Sequence, residues 1–289
     1  MINWRKMMRS KKVSRSKGGD FMIILMLVLV GAFMALPLVY SVVNAFKPLE
    51  EIFIFPPRFF VINPTTQNFK TLFILTSNLW VPFSRYIFNS VFVSATVVFF
   101  HIVFASMAAY PLAKGHFPGR DKIFSLIQLT LLFSGGAMAI PQYIVMAKLG
   151  MINTYWAVIL PPIAGSMGLF LMRQFMVSLH DSMLEAARID GAGEVRIYWQ
   201  IVMPLMRPAW LTLLIFAFQG IWNSTGGNFL YSEQLKLLPS ALSQIQAGGI
   251  ARQGVGAAAS FILMIPPIIT FVVTQSNVIE TMSYAGIKE

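Results

Sequence analysis

The chain has 289 residues and not one cysteine. That excludes a disulfide framework and thiolate metal sites, and it leaves the redox compartment open. Charge is scarce too: Asp, Glu, Lys and Arg make up 11% of the residues, against about 25% in an ordinary globular protein. Histidine occurs three times, at His101, His116 and His180, without the spacing that brings two imidazoles to one metal ion. There is no G-x-x-x-x-G-K-[ST] phosphate loop, no G-x-G-x-x-G turn, and no set of nucleophile, base and orienting group. Any uphill work by this chain needs an energy source held by another subunit. What is abundant is apolar: 56% of residues are hydrophobic and the mean hydropathy is +0.68, which places the chain among integral membrane proteins.

The formal charge of +11 does not indicate nucleic acid, because its distribution follows the membrane. Seven Lys and Arg precede the first apolar run, within residues 1 to 17, as the positive-inside rule expects of a cytoplasmic anchor. An apolar helix needs about 20 residues to cross the hydrocarbon layer. Six segments qualify, roughly 21–43, 86–112, 123–146, 153–176, 208–223 and 255–276. The first is too long for a signal peptide, whose apolar core runs about 7 to 15 residues. Six crossings place both termini on one side. With that side cytoplasmic, 15 of the 22 Lys and Arg lie inside. The expected organisation is a basic N-terminus (1–20), a first transmembrane helix (21–43), an external loop with room for short surface helices (44–85), a permease core (86–276) and a cytoplasmic tail (277–289).

The six spans contain no Asp, Glu or Lys, and their one Arg, Arg173, sits near a helix end where its stem can snorkel to the interface. Proton- and ion-coupled transporters need charged groups within the membrane, so a self-powered secondary transporter is disfavoured. His101 reads as a packing or hydrogen-bonding residue. The polar groups that do enter the spans or their ends are neutral: Asn89, Gln128, Gln142, Tyr143, Asn153, Gln219, Trp222 and Asn223. Amides and aromatic rings suit uncharged, hydroxyl-rich ligands, though interhelical hydrogen bonding is the commoner use of such residues. Asn89, Gln142, Tyr143, Asn153, Trp222 and Asn223 are the candidates for a solute pathway. Pro37, Gly135-Gly136, Pro141, Pro161-Pro162, Gly165, Gly168 and Pro266-Pro267 interrupt the spans, which implies kinked helices around a path.

Between two apolar runs the chain inserts EAARIDGAGEVRIYWQIVMP (185–204), with Glu185, Arg188, Asp190, Glu194 and Arg196 close together. Ser182 followed three residues later by Glu185 suggests a capping box. Ala186 and Ala187 favour helix and leave a bare surface, and Gly191 and Gly193 end the helix after about two turns. A short helix with a small-residue face and a charged fringe is suited to docking in a partner's groove.

Here the residues match a known family. Glu185-Ala186-Ala187, Gly191, Ile201 and Met203-Pro204 fit the pattern E-A-A, three residues, Gly, nine residues, I-x-[hydrophobic]-P, with methionine where leucine is usual. This resembles the cytoplasmic loop of permease subunits in bacterial ABC importers of the binding-protein-dependent kind. Asn89-Ser90, Ala108-Ala109-Tyr110, Leu112-Ala113-Lys114, Phe117-x-Gly119-Arg120, Ile140-Pro141, Leu149-Gly150, Asn153-Thr154, Trp156-Ala157 and Trp222-Asn223 extend the resemblance to the carbohydrate branch, most closely to the smaller permease of maltose-type importers. Departures are Ser224 after Trp222-Asn223, where Asp is usual, and a terminal Glu289 in place of Gly.

The resemblance implies an all-α membrane fold of six transmembrane helices with a coupling-helix loop at about 180–204. It implies a non-enzymatic sugar or oligosaccharide importer subunit in the bacterial cytoplasmic membrane, with both termini inside. Its expected partners are a second, different permease, a dimer of ATP-binding subunits that hold ATP and Mg, and an external solute-binding protein. The chain itself would carry no cofactor, bind no nucleic acid and have no catalytic or metal-binding residues. Glu185, Ala186, Ala187, Asp190 and Gly191 would form the contact with the ATPase. Because the loop motif is shared, a permease for an amino acid, peptide or anion is the alternative; a membrane enzyme or a passive channel fits less well.

Overall fold

A computed structural model describes residues 17–77, 81–133 and 135–286, and side chains as far as residue 275. Most of the basic N-terminal segment and the last three residues therefore lie outside the described residues. Among the described residues the architecture is wholly helical. The elements are α1 (Lys17–Ala45), α2 (Leu49–Ile52), α3 (Gln67–Ser77), α4 (Phe83–Lys114), α5 (Arg120–Thr130), α6 (Gly135–Lys148) and α7 (Tyr155–Ile163). They continue with α8 (Ser166–Val177), α9 (Asp181–Ile189), α10 (Glu194–Ile197), α11 (Met203–Leu205), α12 (Arg207–Trp222), α13 (Leu238–Gln246) and α14 (Gln253–Gly286). Among the described residues four spans are long and apolar enough to cross a membrane, α1, α4, α7 with α8 taken as one, and α14, and up to six if two sharply bent pairs each count as a span.

The central rod is α4, 32 residues long. Its sequence explains its place. Tyr86, Asn89, Ser90, Val93, Ser94, Val97, His101, Ala105, Ser106, Ala109 and Leu112 recur every three or four residues and are all buried, so small and short polar side chains form one stripe that lets neighbouring helices approach closely. The opposite face carries Phe88, Phe92, Phe99, Phe100 and Phe104, exposed on this chain. Three apolar clusters follow the stripe along the rod. At one end, Ala45, Leu72, Tyr86, Trp222, Leu242 and Ala258 pack together. In the middle are Val93, Val97, Val158, Ile159 and Ile221. At the other end Ala105, Ala109, Met172, Met176, Leu184, Ile197 and Met206 form the third.

Peripheral to this body, α1 exposes every side chain from 21 to 40. A helix apolar all round and unburied within its own chain belongs in lipid or against another subunit. The segment between α1 and α4 contains the expected short helices, α2 and α3, fixed by Asn68, whose buried amide donates to the carbonyls of Ala45 (3.0 Å) and Lys47 (2.7 Å).

Of the expected interruptions, those at Gly135-Gly136 and Gly165 break the spans, whereas Pro37, Pro141, Pro161-Pro162 and Pro266-Pro267 lie inside continuous helices. The expected span 123–146 is divided between α5 and α6, bent by 105° ahead of Gly135-Gly136. The expected span 153–176 is broken at Ala164-Gly165 into α7 and α8. At that break His101, 5% exposed, uses Nδ1 to donate to the carbonyl of Ile163 at 2.9 Å; since a carbonyl only accepts, the proton is on Nδ1. The other side of the ring fills the space over Gly168, where an added Cβ would stand 2.2 Å from Nε2. His101 thus has the packing role expected of it.

Candidate functional site

The expected docking helix is α9, and its ends are set differently from the sequence expectation. The Ser182–Glu185 capping box does not form: the helix begins two residues earlier than that box would set it, at Asp181, with His180 in place of Ser182 as N-cap and no side-chain cap. Lys114, on the last turn of α4, takes over instead. Its ammonium donates to the carbonyl of Leu179 (2.5 Å) and to the Asp181 carboxylate (2.7 Å), and only 7% of its side chain is exposed. At the C-terminal end Gly191 adopts φ +81°. The Gly191 N–H donates to Arg188 (3.0 Å) and the Ala192 N–H to Ala187 (3.0 Å), the paired bonds of a Schellman stop. That conformation, rather than lack of room, requires glycine, since a Cβ at Gly191 would meet nothing within 4 Å.

Leu184 and Ala187 turn inward, at 2% and 9% exposure. Glu185, Ala186, Arg188 and Asp190 stay exposed, and Ile189 is 86% exposed. Among the described residues Glu185 has no hydrogen-bonding or ionic partner, whereas Arg188 pairs with Glu194 at 2.7 Å. Glu194 also accepts from the Tyr110 hydroxyl at 2.8 Å. The Arg188 and Tyr110 hydrogen bonds, opposed by slight burial, hold the Glu194 carboxyl below its ordinary pKa. Arg173, expected to snorkel, instead lies over the Phe124 ring at 3.6 Å and donates to the Leu112 carbonyl at 3.3 Å; the aromatic face satisfies its charge where it stands.

At the opposite end of α4 the pathway candidates divide. Asn89 is fully buried and its amide is committed: Nδ2 donates to the carbonyls of Gln234 and Lys236, both at 2.9 Å, and Oδ1 accepts from the Tyr155 hydroxyl at 2.6 Å. Ser90 accepts from the N–H of Leu238 (2.7 Å) and Tyr86 donates to Glu233 (2.8 Å). Asn153, at φ +62°, a region asparagine tolerates, secures the same segment: Oδ1 accepts from the N–H groups of Tyr231 and Ser232 and Nδ2 donates to the Ser232 hydroxyl. Asn89 and Asn153 therefore hold residues 229–238 in place and offer little to a passing solute. Tyr143 is exposed, its hydroxyl 2.7 Å from that of Tyr231 and its ring stacked with Phe229; Gln142 is half-buried.

Trp222 is 4% exposed and donates from Nε1 to the carbonyl of Leu263 at 3.0 Å. That carbonyl lies four residues before Pro267, which has no N–H to offer it, so the indole satisfies the group freed by the proline. Asn223 is exposed, and with Gln219, Ser260, Leu263, Met264, Pro267, Ile268 and Phe271 it lines an open cleft of about 530 Å³ between α12 and α14. Two amides and a hydroxyl against an apolar wall, with no charged residue, make a surface for a neutral polar solute. Sequence reasoning noted Gln219 only as a polar residue, and a lone serine such as Ser260 carries no signal; their partnership with Asn223 exists only once the helices pack.

Residues 20–281 match the family described as binding-protein-dependent transport system inner membrane component. The chain is 35% identical over 207 residues to Protein LplC of Bacillus subtilis, covering 70% of this chain and 66% of that one. It is 31% identical over 270 residues to the arabinooligosaccharides transport system permease protein AraQ of Halalkalibacterium halodurans, covering 89% and 92% of the two chains. To the sn-glycerol-3-phosphate transport system permease protein UgpE of Yersinia enterocolitica it is 29% identical, with 91% and 95% covered. Among solved structures, a bacterial ABC transporter involved in the import of the acidic polysaccharide alginate has a chain of similar fold, with a TM-score of 0.74, 24% identity, and 91% of this chain and 98% of that chain covered.

Proposed function

The chain belongs to the family of binding-protein-dependent transport system inner membrane components, and from that premise we propose that it is a sugar- or oligosaccharide-conducting permease subunit of an ATP-driven importer. It pairs with a second, different permease around one pathway. A dimer of ATP-binding subunits, carrying the ATP and Mg, docks on α9 at the cytoplasmic side, and an external binding protein delivers the solute at the end of α4 that holds residues 229–238. Both termini are cytoplasmic. The observation that carries this reading is α9, whose inner face is buried while Glu185, Ala186, Asp190 and Ile189 face outward, the two carboxylates with no partner among the described residues. With Val195, 74% exposed, and Trp199, 48% exposed, on the segment that follows, the loop presents several apolar residues with a charged fringe, which supports docking by another protein.

The uncharged cleft of Gln219, Asn223 and Ser260 supports a neutral sugar. A permease for an anion such as sn-glycerol 3-phosphate is the second reading, favoured by the likeness to UgpE; basic residues absent from this cleft would be needed to neutralise the phosphate. Tagged chain purified gently from its native membrane should bring with it an ATPase and a second permease. Glu185→Lys should lose the ATPase, or keep it and lose uptake, while the chain remains in the membrane. Normal copurification and uptake in Glu185→Lys would remove Glu185 from the docking contact. A preference for sn-glycerol 3-phosphate over neutral oligosaccharides would overturn the sugar assignment.

A further inference from the structure

The docking loop is fastened to α4 by three side chains spaced four residues apart. Ser106, which is fully buried, meets the Tyr198 hydroxyl at 2.6 Å. One turn on, Tyr110 donates to Glu194 at 2.8 Å. One turn further, Lys114 donates to Asp181 and to the Leu179 carbonyl. Residues at i, i+4 and i+8 lie along one face of a helix, so these three form a polar stripe on the last turns of α4. Their partners bracket α9: Leu179 and Asp181 at its start, Glu194 and Tyr198 after its end. Arg188 closes the set by pairing with Glu194 from the last turn of α9 itself. Leu184 and Ala187, from the middle of α9, are buried in the same apolar cluster as Ala105, Ala109 and Met172. The loop is thus held at both ends and in the middle, and two of the three fastenings are charge-assisted hydrogen bonds, which are the stronger kind.

We propose that Ser106, Tyr110 and Lys114 are positioning residues that make α4 and α9 one rigid body, so that displacement of α9 is passed along α4 to the segment that Asn89 and Ser90 hold at its other end. None of the three faces the solute cleft or the exposed side of α9. The assignment rests on the reading of α9 as the ATPase contact, and it specifies the linkage that reading requires. A docked helix tethered only by flexible chain would dissipate the movement; a two-state element needs a stiff connection to bias both ends.

The absence of cysteine makes the test direct. Cysteines placed at exposed Ser182 on α9 and exposed Met107 on α4 carry spin labels, and their separation is measured by pulsed electron resonance in the complex purified with its ATPase, with and without ATP and Mg. A single narrow distance, unchanged by nucleotide, is expected. In the Tyr110→Phe, Lys114→Met double variant the ATPase should still copurify and hydrolyse ATP, but a second distance population on the order of 10% or more should appear. Restoring position 114 as Arg, with Tyr110 intact, should return the narrow distribution. A narrow distribution in the double variant would overturn the proposal, as would movement of α9 against α4 when ATP binds the unaltered complex. If no ATPase copurifies even with the unaltered chain, the docking assignment fails instead, while the nucleotide-free distances still test the stripe.

Discussion

The two ends of α4, the Asn89 end that the proposed orientation makes the outer one and the Lys114 end that it makes the inner one, are fastened to their loops by a different balance of chemistry. At the outer end Asn89 and Ser90 are neutral and deeply buried, at 0% and 2% exposure, and bind backbone groups of residues 234–238, with one charge-assisted bond beside them, from Tyr86 to the Glu233 carboxylate. At the inner end one anchor, Ser106 with Tyr198, is neutral and buried, and the other two meet wet carboxylates: Lys114 is 7% exposed, but Asp181 is 73% and Glu194 58% exposed. A buried neutral hydrogen bond is costly to leave unmade, so the outer segment is held as a fixed part of the rod. A partly exposed ion pair is cheaper to open and is screened by salt. The outer strap is therefore built for permanence. The inner loop is built for orientation, presenting an exposed face whose position is set but whose fastenings carry less energy each.

The largest effect that separates the ends should come from Asn89→Ala. It removes one side chain and strands two carbonyls and the Tyr155 hydroxyl together, for a destabilisation on the order of 3 kcal/mol at about 1–3 kcal/mol per stranded buried group. Limited proteolysis of the purified protein should show faster cleavage within 229–238 and an unchanged rate within 178–198. Equal loosening of both loops would mean that the outer strap has no independent structure.

A smaller loss is expected from Gly168→Ala, midway along the rod. The added Cβ would stand 2.2 Å from His101 Nε2, and the ring cannot swing away without releasing the carbonyl of Ile163. Overpacking of this kind costs about 1–3 kcal/mol. Because it pushes α8 from α4 rather than touching either loop, thermal unfolding in detergent should fall while cleavage rises at both ends alike. Cleavage confined to one end would show that the rod does not connect them.

How much of this was legible in the sequence follows the same division. The inner loop is a contiguous motif, and the short helix and its stop at Gly191 were readable because helix propensity and a glycine stop act over a few residues, whereas Ala187, expected on the docking face, turns inward and is 9% exposed because it packs in the cluster around α4 and α8. Even there the start was misread: Ser182 and Glu185 have the capping spacing, but Lys114, 67 residues away from Asp181, sets the helix end. At the outer end Asn89 and its partners are 145 and 147 residues apart, so nothing local distinguishes a strap from a solute contact, and neutrality, the only clue, fits both. Trp222 looked like a stacking platform for the same reason. Its role depends on a carbonyl left free by Pro267 on another helix. The spans themselves were the plainest part, since length and hydropathy set them, and Gly135-Gly136 and Gly165 marked the two breaks; that Pro37, Pro141 and Pro266-Pro267 would stay inside continuous helices was not legible locally, because the groups that satisfy a proline-freed carbonyl, such as the Trp222 indole, come from other helices.

The smallest expected effect concerns pH at the inner end. The Asp181 carboxyl is held below its ordinary pKa of 3.8, chiefly by the hydrogen bond from Lys114 and then by that charge itself. A group whose pKa is lower in the folded state contributes stability above its unfolded value and loses it as pH falls through the folded one. Any contribution from this pair is therefore intact at neutral pH and lost below about pH 4. Asp181 is exposed, so Asp181→Asn should change the melting temperature at neutral pH little, and less still in high salt. The carbonyl of Leu179 would still hold Lys114, so α9 should keep its start. The contrast to measure is between Asp181→Asn and Lys114→Met at pH 7: the first removes one wet ionic contact, the second removes that contact and the partly buried bond to Leu179. If both variants loosened α9 equally, the ion pair alone would be the fastening, and the inner end would be weaker than the buried lysine implies.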